Sequence, residues 1–195
     1  MNANNLSQIP GDISPLFESL HSDLRSLHLK WEIYKDLFPD VSKCKILSGA
    51  AKTFFISTEE AFRDSMVMAF GRLSDPMKSA GRENASFKQI ADKCKEIAGV
   101  TSLVDNFDSE VKKSLKKLRN KTVGHSDYLM AVQPNENEVS TPPFREINKA
   151  IELGGRILNT IHVYFTGGDI SCKTLHNDGV DRLIYILKKG LEEAD

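Results

Sequence analysis

Cysteine is scarce in this chain: Cys44, Cys94 and Cys172 are the three among 195 residues. They are odd in number and far apart, and no CxxC or Cys/His cluster occurs. The sequence therefore offers neither a disulfide framework nor a zinc site, and no metal or cofactor is expected. Free thiols fit a reducing cytosol. Long apolar runs are missing too. No stretch approaches the roughly 20 residues that span a bilayer. The opening residues, MNANNLSQIPGDISP, lack the basic-then-apolar order of a secretory leader. A cytoplasmic chain without membrane association is expected. Nor is there an excess of charge: 26 Lys and Arg against 27 Asp and Glu leave a formal net charge of −1. Any polyanion binding must then come from a local basic patch. Repeats and low-complexity tracts are absent. No β-branched strand runs alternate with the helical stretches, which argues against a parallel sheet.

What is present is helical periodicity. Steps of three and four link Ile13, Leu16, Phe17, Leu20, Leu24, Leu27, Trp31, Tyr34 and Phe38, the pattern of one helix face. Ser14 is expected to cap this helix, with Pro15 in its first turn and Pro39 at its end. A second helical stretch runs from about Val41 to Met77, with a kink expected near Gly49 or Ser57-Thr58. Its apolar set includes Ile46, Leu47, Phe54, Phe55, Ile56, Phe62, Met66, Met68, Phe70 and Leu73. Asp75-Pro76 stops it, and Lys78 to Asn84 reads as a polar loop. Ser86 opens a short helix through Ile97, stopped by Gly99. Thr101 or Ser102 begins a fourth helix, and Phe144 to about Phe165 makes a fifth, broken by Gly167-Gly168. Asp178 to Leu191 is expected to form a final helix. The whole reads as an all-α bundle of about five main helices. Its organisation is a flexible lead-in over 1–12, a helical domain over 13–168 and a C-terminal extension over 169–195.

The fourth helix carries the local charge that the totals lack. Leu103, Val104, Phe107, Val111, Leu115 and Leu118 form its apolar face. Lys112, Lys113, Lys116, Lys117, Arg119 and Lys121 form a basic stripe. Such a stripe can track a phosphate backbone and predicts salt-sensitive RNA binding. The same lysines also suit a plain solvated face, and cations near a helix C-terminus complement its dipole.

Directly after it comes Arg119-Asn120-Lys121-Thr122-Val123-Gly124-His125-Ser126-Asp127-Tyr128. At about 100° per residue, positions six apart point in different directions on an ideal helix. Arg119 and His125 share one cleft only if the helix kinks, bulges or ends between them, and Gly124 permits that. Histidine gains and loses a proton near neutral pH, so it can deprotonate a ribose 2′-hydroxyl or protonate a departing 5′-oxygen. Arginine's planar donors suit a phosphate and its developing charge. Asn120, Ser126 and Asp127 are the supporting polar groups. Asp127 can hold a His125 tautomer or serve a turn.

This segment resembles the arginine–histidine signature of the HEPN superfamily, all-α domains that include many ribonucleases. Here Arg119 and His125 have five residues between them, and Asn120 matches the polar residue common after the arginine. A second stretch, Phe70-Gly71-Arg72-Leu73-Ser74-Asp75-Pro76-Met77-Lys78 with Glu83-Asn84 after it, resembles the branch linked to bacterial abortive infection. In helix order the resemblance covers residues 13–165. It implies a metal-independent endoribonuclease with Arg119 and His125 as the catalytic pair. It also implies a homodimer whose two motifs meet in a composite cleft. Members that have lost activity serve as RNA-, nucleotide- or protein-binding modules. Relatives encoded beside a nucleotidyltransferase antitoxin carry a modifiable tyrosine two positions after the histidine, whereas Tyr128 stands three positions after His125.

Other residues have plainer readings. His21 and His28 have no acidic partner at metal spacing. His162 fits a packed position near a helix end. His176 with Asn177 and Asp178 suits turn and cap chemistry. Arg72 or Asp75 would act functionally by orienting the Arg119 cleft. Trp31 and the phenylalanines at helical spacing read as core rather than base-stacking platforms.

Overall fold

The computed structural model describes residues 8–118, 144–172 and 179–194. Six helices form among the described residues: α1 (Ser14–Leu37), α2 (Val41–Leu73), α3 (Phe87–Lys93), α4 (Val100–Leu118), α5 (Phe144–Thr166) and α6 (Gly179–Ala194). A hairpin of two short strands, β1 (Lys78–Ser79) and β2 (Arg82–Glu83), is the remaining regular element. The all-α bundle read from periodicity is the observed fold.

The periodic positions of α1 turn inward as a set: Phe17, Leu20, Leu24, Leu27, Trp31 and Tyr34 are all buried. Ser14 does not cap the helix. It is the first helical residue, follows Ile13 as N-cap, and its hydroxyl bonds Glu18 at 2.9 Å. α2 has a true cap in Asp40, whose Oδ1 accepts from the amides of Ser42 at 2.7 Å and Lys43 at 3.2 Å. The expected kink falls at Ala51, where φ is −162° and ψ 73°. Beyond it, Met66, Phe70 and Leu73 bury on one stripe. Phe54, Ile56 and Met68 lie off that stripe and stay exposed, although their hydrophobicity suggested core.

The stretch from Lys78 to Asn84 is not a loop but a two-residue hairpin. Ala80 and Gly81 both hold positive φ, 48° and 77°, as a tight turn between right-twisted strands requires. Asn84 staples it: its Nδ2 donates to the Pro76 carbonyl at 2.7 Å, and its Oδ1 accepts from Ser79 Oγ at 3.0 Å. Ser86 caps α3 by accepting from the Gln89 amide at 3.3 Å. The helix ends at Lys93, earlier than expected, and the chain turns through Gly99 at φ 87° into α4.

Cross-helix pairs set the bundle's register. Tyr34 meets Glu59, Lys30 meets Ser65 and Asp23 meets Arg72, so α1 and the later part of α2 run antiparallel. Trp31 meets Asn148, and Leu24 lies beneath Gly154, so α1 and α5 are also antiparallel. Phe107 packs on Phe87, whose ring approaches Gly154, while Glu110 meets Lys149; α4 and α5 therefore oppose each other too. One core runs through these helices. A second, small cluster joins Leu37, Leu47 and Val180, with Phe55, Leu183 and Leu187 packed against it. It seats α6 on α2, where Leu191 reaches Gly49 and Lys43 bonds Asp181 at 3.3 Å.

Candidate functional site

α4 is the element that leads into the arginine–histidine segment, so what fixes α4 fixes the approach to it. Val104, Phe107 and Val111 bury its apolar side. On another face, Asp108 is buried and bonds the Lys88 ammonium at 2.5 Å, while the same ammonium donates to the Ser74 carbonyl at 2.7 Å. One lysine of α3 thus ties the end of α2 to the middle of α4. A buried carboxylate needs such a partner to offset its lost hydration.

The basic stripe is not uniform. Asp105, Asp108 and Glu110 share α4 with the lysines. Lys112 is exposed, yet its ammonium lies 3.8 Å from Asp108. Lys113, Lys116 and Lys117 fall on the α4 backbone, and their side chains lie outside the described residues. Arg119, Asn120, Lys121, His125, Ser126 and Asp127, as well as Tyr128, lie outside the described residues altogether.

The antiparallel register brings the C-terminus of α4 and the N-terminus of α5 to the same end of the bundle. Residues 119–143 connect those two ends. Toward that end of the bundle the helices are joined by part-buried polar pairs. Trp31 Nε1 donates to Asn148 Oδ1 at 2.6 Å, and Tyr34 donates to Glu59 Oε1 at 3.2 Å. Burial, with the neighbouring Glu59 charge, pushes the Tyr34 phenol up to about 12, so it stays a neutral donor at any physiological pH. Arg63 Nε and Asp64 Oδ1 are buried on α2 and have no hydrogen-bond partner among the described residues. Between α1 and α2 a groove of about 410 Å³ is lined by Lys30, Phe54, Thr58, Ala61 and Phe62. Sequence reading did not find this polar set. Its members lie far apart along the chain, and nothing local to Tyr34, Glu59 or Asn148 marks them.

The abortive-infection-like stretch Phe70–Lys78 sits at the other end. Arg72 Nη2 lies 4.0 Å from Asp23 on α1. That level is about three helical turns from Leu118, judged by the Phe107 register at 1.5 Å per residue. Arg72 is thus grouped with the hairpin rather than with the α4 terminus. Of the histidines, His28 pairs with Glu32 at 3.4 Å. His21 and His162 are buried and bond backbone carbonyls. His176 lies outside the described residues. Among the described residues no group of three or more His, Cys, Asp or Glu side chains is placed to hold a metal ion. None of their helices is long and apolar enough to cross a membrane.

Comparison with known proteins adds one finding. Residues 11–184 match the family model described as AbiU2, of HEPN type. No match emerges among curated proteins or among solved structures.

Proposed function

The chain belongs to the HEPN AbiU2 family of abortive-infection domains, and from that premise we propose that it is a metal-independent endoribonuclease acting in phage defence or as a toxin. The carrying observation is Arg119 and His125, with five residues between them and directly following a lysine-bearing helix, within the matched span. His125 abstracts the 2′-hydroxyl proton or supplies one to the leaving 5′-oxygen. Arg119 neutralises the phosphate as charge develops on it. Attack by the 2′-oxygen leaves a 2′,3′-cyclic phosphate and a 5′-hydroxyl, and this route requires no metal. Asn120, Ser126 and Asp127 orient the pair. Lys112, Lys113, Lys116, Lys117 and Lys121 draw the RNA backbone toward it. The cleft is completed by a second copy in a homodimer, the location is the cytoplasm, and an antitoxin restrains the activity.

The test is incubation of purified protein with RNA, with and without EDTA, followed by end-group analysis. Cleavage insensitive to EDTA and lost in both Arg119→Ala and His125→Ala is expected. Wild-type activity in those variants refutes the assignment. The second reading, a non-catalytic RNA-, nucleotide- or protein-binding module, is favoured by the acidic residues interleaved on α4, which dilute its basic face. It predicts no cleavage, with salt-sensitive binding that Arg119→Ala weakens.

A further inference from the structure

The groove between α1 and α2 has a lining that suits a ligand. Its volume of about 410 Å³ falls within the roughly 300–1,000 Å³ usual for ligand pockets. Phe54, Ala61 and Phe62 form its apolar wall, one face of α2 read at helical spacing. Ser57 and Ser65 add hydroxyls, Lys30 of α1 adds one ammonium, and no lining residue is acidic.

Two features need a partner from outside. Phe54 is 65% exposed although aromatic, so the packing denies it the core role that its spacing suggested. Its ring stands at right angles to Phe55 at 5.2 Å, and the other wall, Phe62, is backed by Phe38 at 6.3 Å. The second feature is Lys30. Its half-buried ammonium donates to Ser65 Oγ at 2.7 Å and has no carboxylate partner among the described residues. An ammonium carries three donors, so two are left for an anion.

We propose that this groove is a nucleotide subsite, in which a base of single-stranded RNA stacks on Phe54 and the adjoining phosphate is held by Lys30. The inference rests on the ribonuclease reading and places part of the substrate's binding outside the Arg119–His125 pair.

The pairing of groups selects the ligand. Stacking on an aromatic ring beside a cation is how single strands are bound without regard to sequence. A duplex keeps its base faces covered, so Phe54 calls for an unpaired strand. A purely apolar ligand would leave Lys30 without counter-charge, and a small inorganic anion would leave Phe54 bare. Ser57 and Ser65 can each donate to or accept from a base edge or a ribose hydroxyl.

The groove also lies at a useful level. Lys30 meets Ser65 and Tyr34 meets Glu59, so Phe54 lies beyond Tyr34, toward the C-terminal end of α1. Trp31, next to Lys30, meets Asn148, about one helical turn into α5. The groove therefore runs toward the end of the bundle at which α4 finishes and α5 begins. Arg119 follows α4 directly in the chain.

The test uses the full chain and a fluorescein-labelled single strand of roughly ten nucleotides. Its riboses are 2′-O-methylated, so 2′-oxygen attack is blocked. Fluorescence anisotropy gives Kd across a salt series. Phe54→Ala is expected to weaken binding about five-fold or more, Phe54→Trp to preserve it, and Phe54→Leu to behave like the alanine variant. Lys30→Met is expected to weaken binding and lower the salt slope by about one, and Lys30→Arg to keep the slope. A companion strand carrying 4-thiouridine should crosslink to the α2 stretch that lines the groove. Circular dichroism checks that each variant keeps its helices; where one does not, the wild-type crosslink map decides. Unchanged Kd in both Phe54→Ala and Lys30→Met overturns the subsite. So does a wild type that binds no RNA, or crosslinks confined to other helices. So does a peptide of acidic and aromatic residues that occupies the groove and that RNA does not displace. Cleavage of unmodified RNA is scored separately. Phe54-dependent binding without cleavage keeps the subsite and removes the ribonuclease reading. Arg119-dependent cleavage with binding indifferent to Phe54 and Lys30 does the reverse.

Discussion

Gly154 and Gly155 are adjacent on α5 and should respond in opposite directions to the same substitution. An alanine side chain improves intrinsic helix stability over glycine by about 0.8–1 kcal/mol at either site. The surroundings differ. At Gly155 a Cβ meets no atom within 4 Å. At Gly154 it would lie 3.0 Å from Leu24 Cδ1, 3.2 Å from Leu24 Cδ2 and 3.3 Å from Phe87 Cζ. Leu24 and Phe87 are fully buried, and Phe87 is locked edge-on to Phe107 at 4.8 Å, so neither has room to yield cheaply. Overpacking of this kind costs roughly 1–3 kcal/mol. Gly155→Ala is therefore expected to stabilise by about 1 kcal/mol, and Gly154→Ala to be neutral or destabilising by up to about 2 kcal/mol. Because the helix term is common to both, the difference between them isolates the packing term. For a chain of this size each kcal/mol moves Tm by about 2–4 °C. Paired urea and thermal melts, followed by the single tryptophan, make the measurement. Equal stabilisation by the two substitutions would show that α1 and α5 do not approach as closely as described, and the register built on that contact would fall.

Two further outcomes follow from the same packing. Ser86→Ala removes the buried cap that accepts the Gln89 amide and should cost about 1 kcal/mol, read as a lower urea midpoint with unchanged slope; an unaltered midpoint would mean that the cap bond contributes nothing. Alkaline pH should weaken the fold as Cys94 and Cys172 respond to burial. Their folded pKa values, raised to about 11 from 9.0, let the unfolded thiols ionise first, so stability falls as pH rises between those values. Melts of the protein with and without Cys94→Ala, from neutral to alkaline pH, check it: the variant should lose part of the pH dependence.

Much of the bundle was legible in the chain because helix formation is local. The apolar spacing of α1, the breaker at Asp75-Pro76, the cap at Ser86 and the Gly167 stop each act within a few residues of themselves. The kink near Gly49 was legible for the same reason. The hairpin was missed because Ala80, a residue that seldom holds positive φ, shares its turn with Gly81. Phe54, Ile56 and Met68 were misplaced because hydrophobicity says that a side chain favours burial, not whether a neighbour exists to bury it. The arginine–histidine segment was singled out by its residue types, its spacing and its resemblance to the HEPN signature; it falls within the matched span and outside the described residues.

The sequence alone determined which stretches become helices, where they break, and which residues hold the candidate phosphate chemistry, since periodicity, capping and side-chain pKa are properties of short segments. Only the tertiary structure decided that Lys88 ties α2 to α4, that Tyr34 pairs with Glu59 and Trp31 with Asn148, and that His21 of α1 meets the Ser171 carbonyl beyond α5. Those arrangements depend on distances between parts of the chain 14 to 150 residues apart, and such distances exist only once the helices have packed.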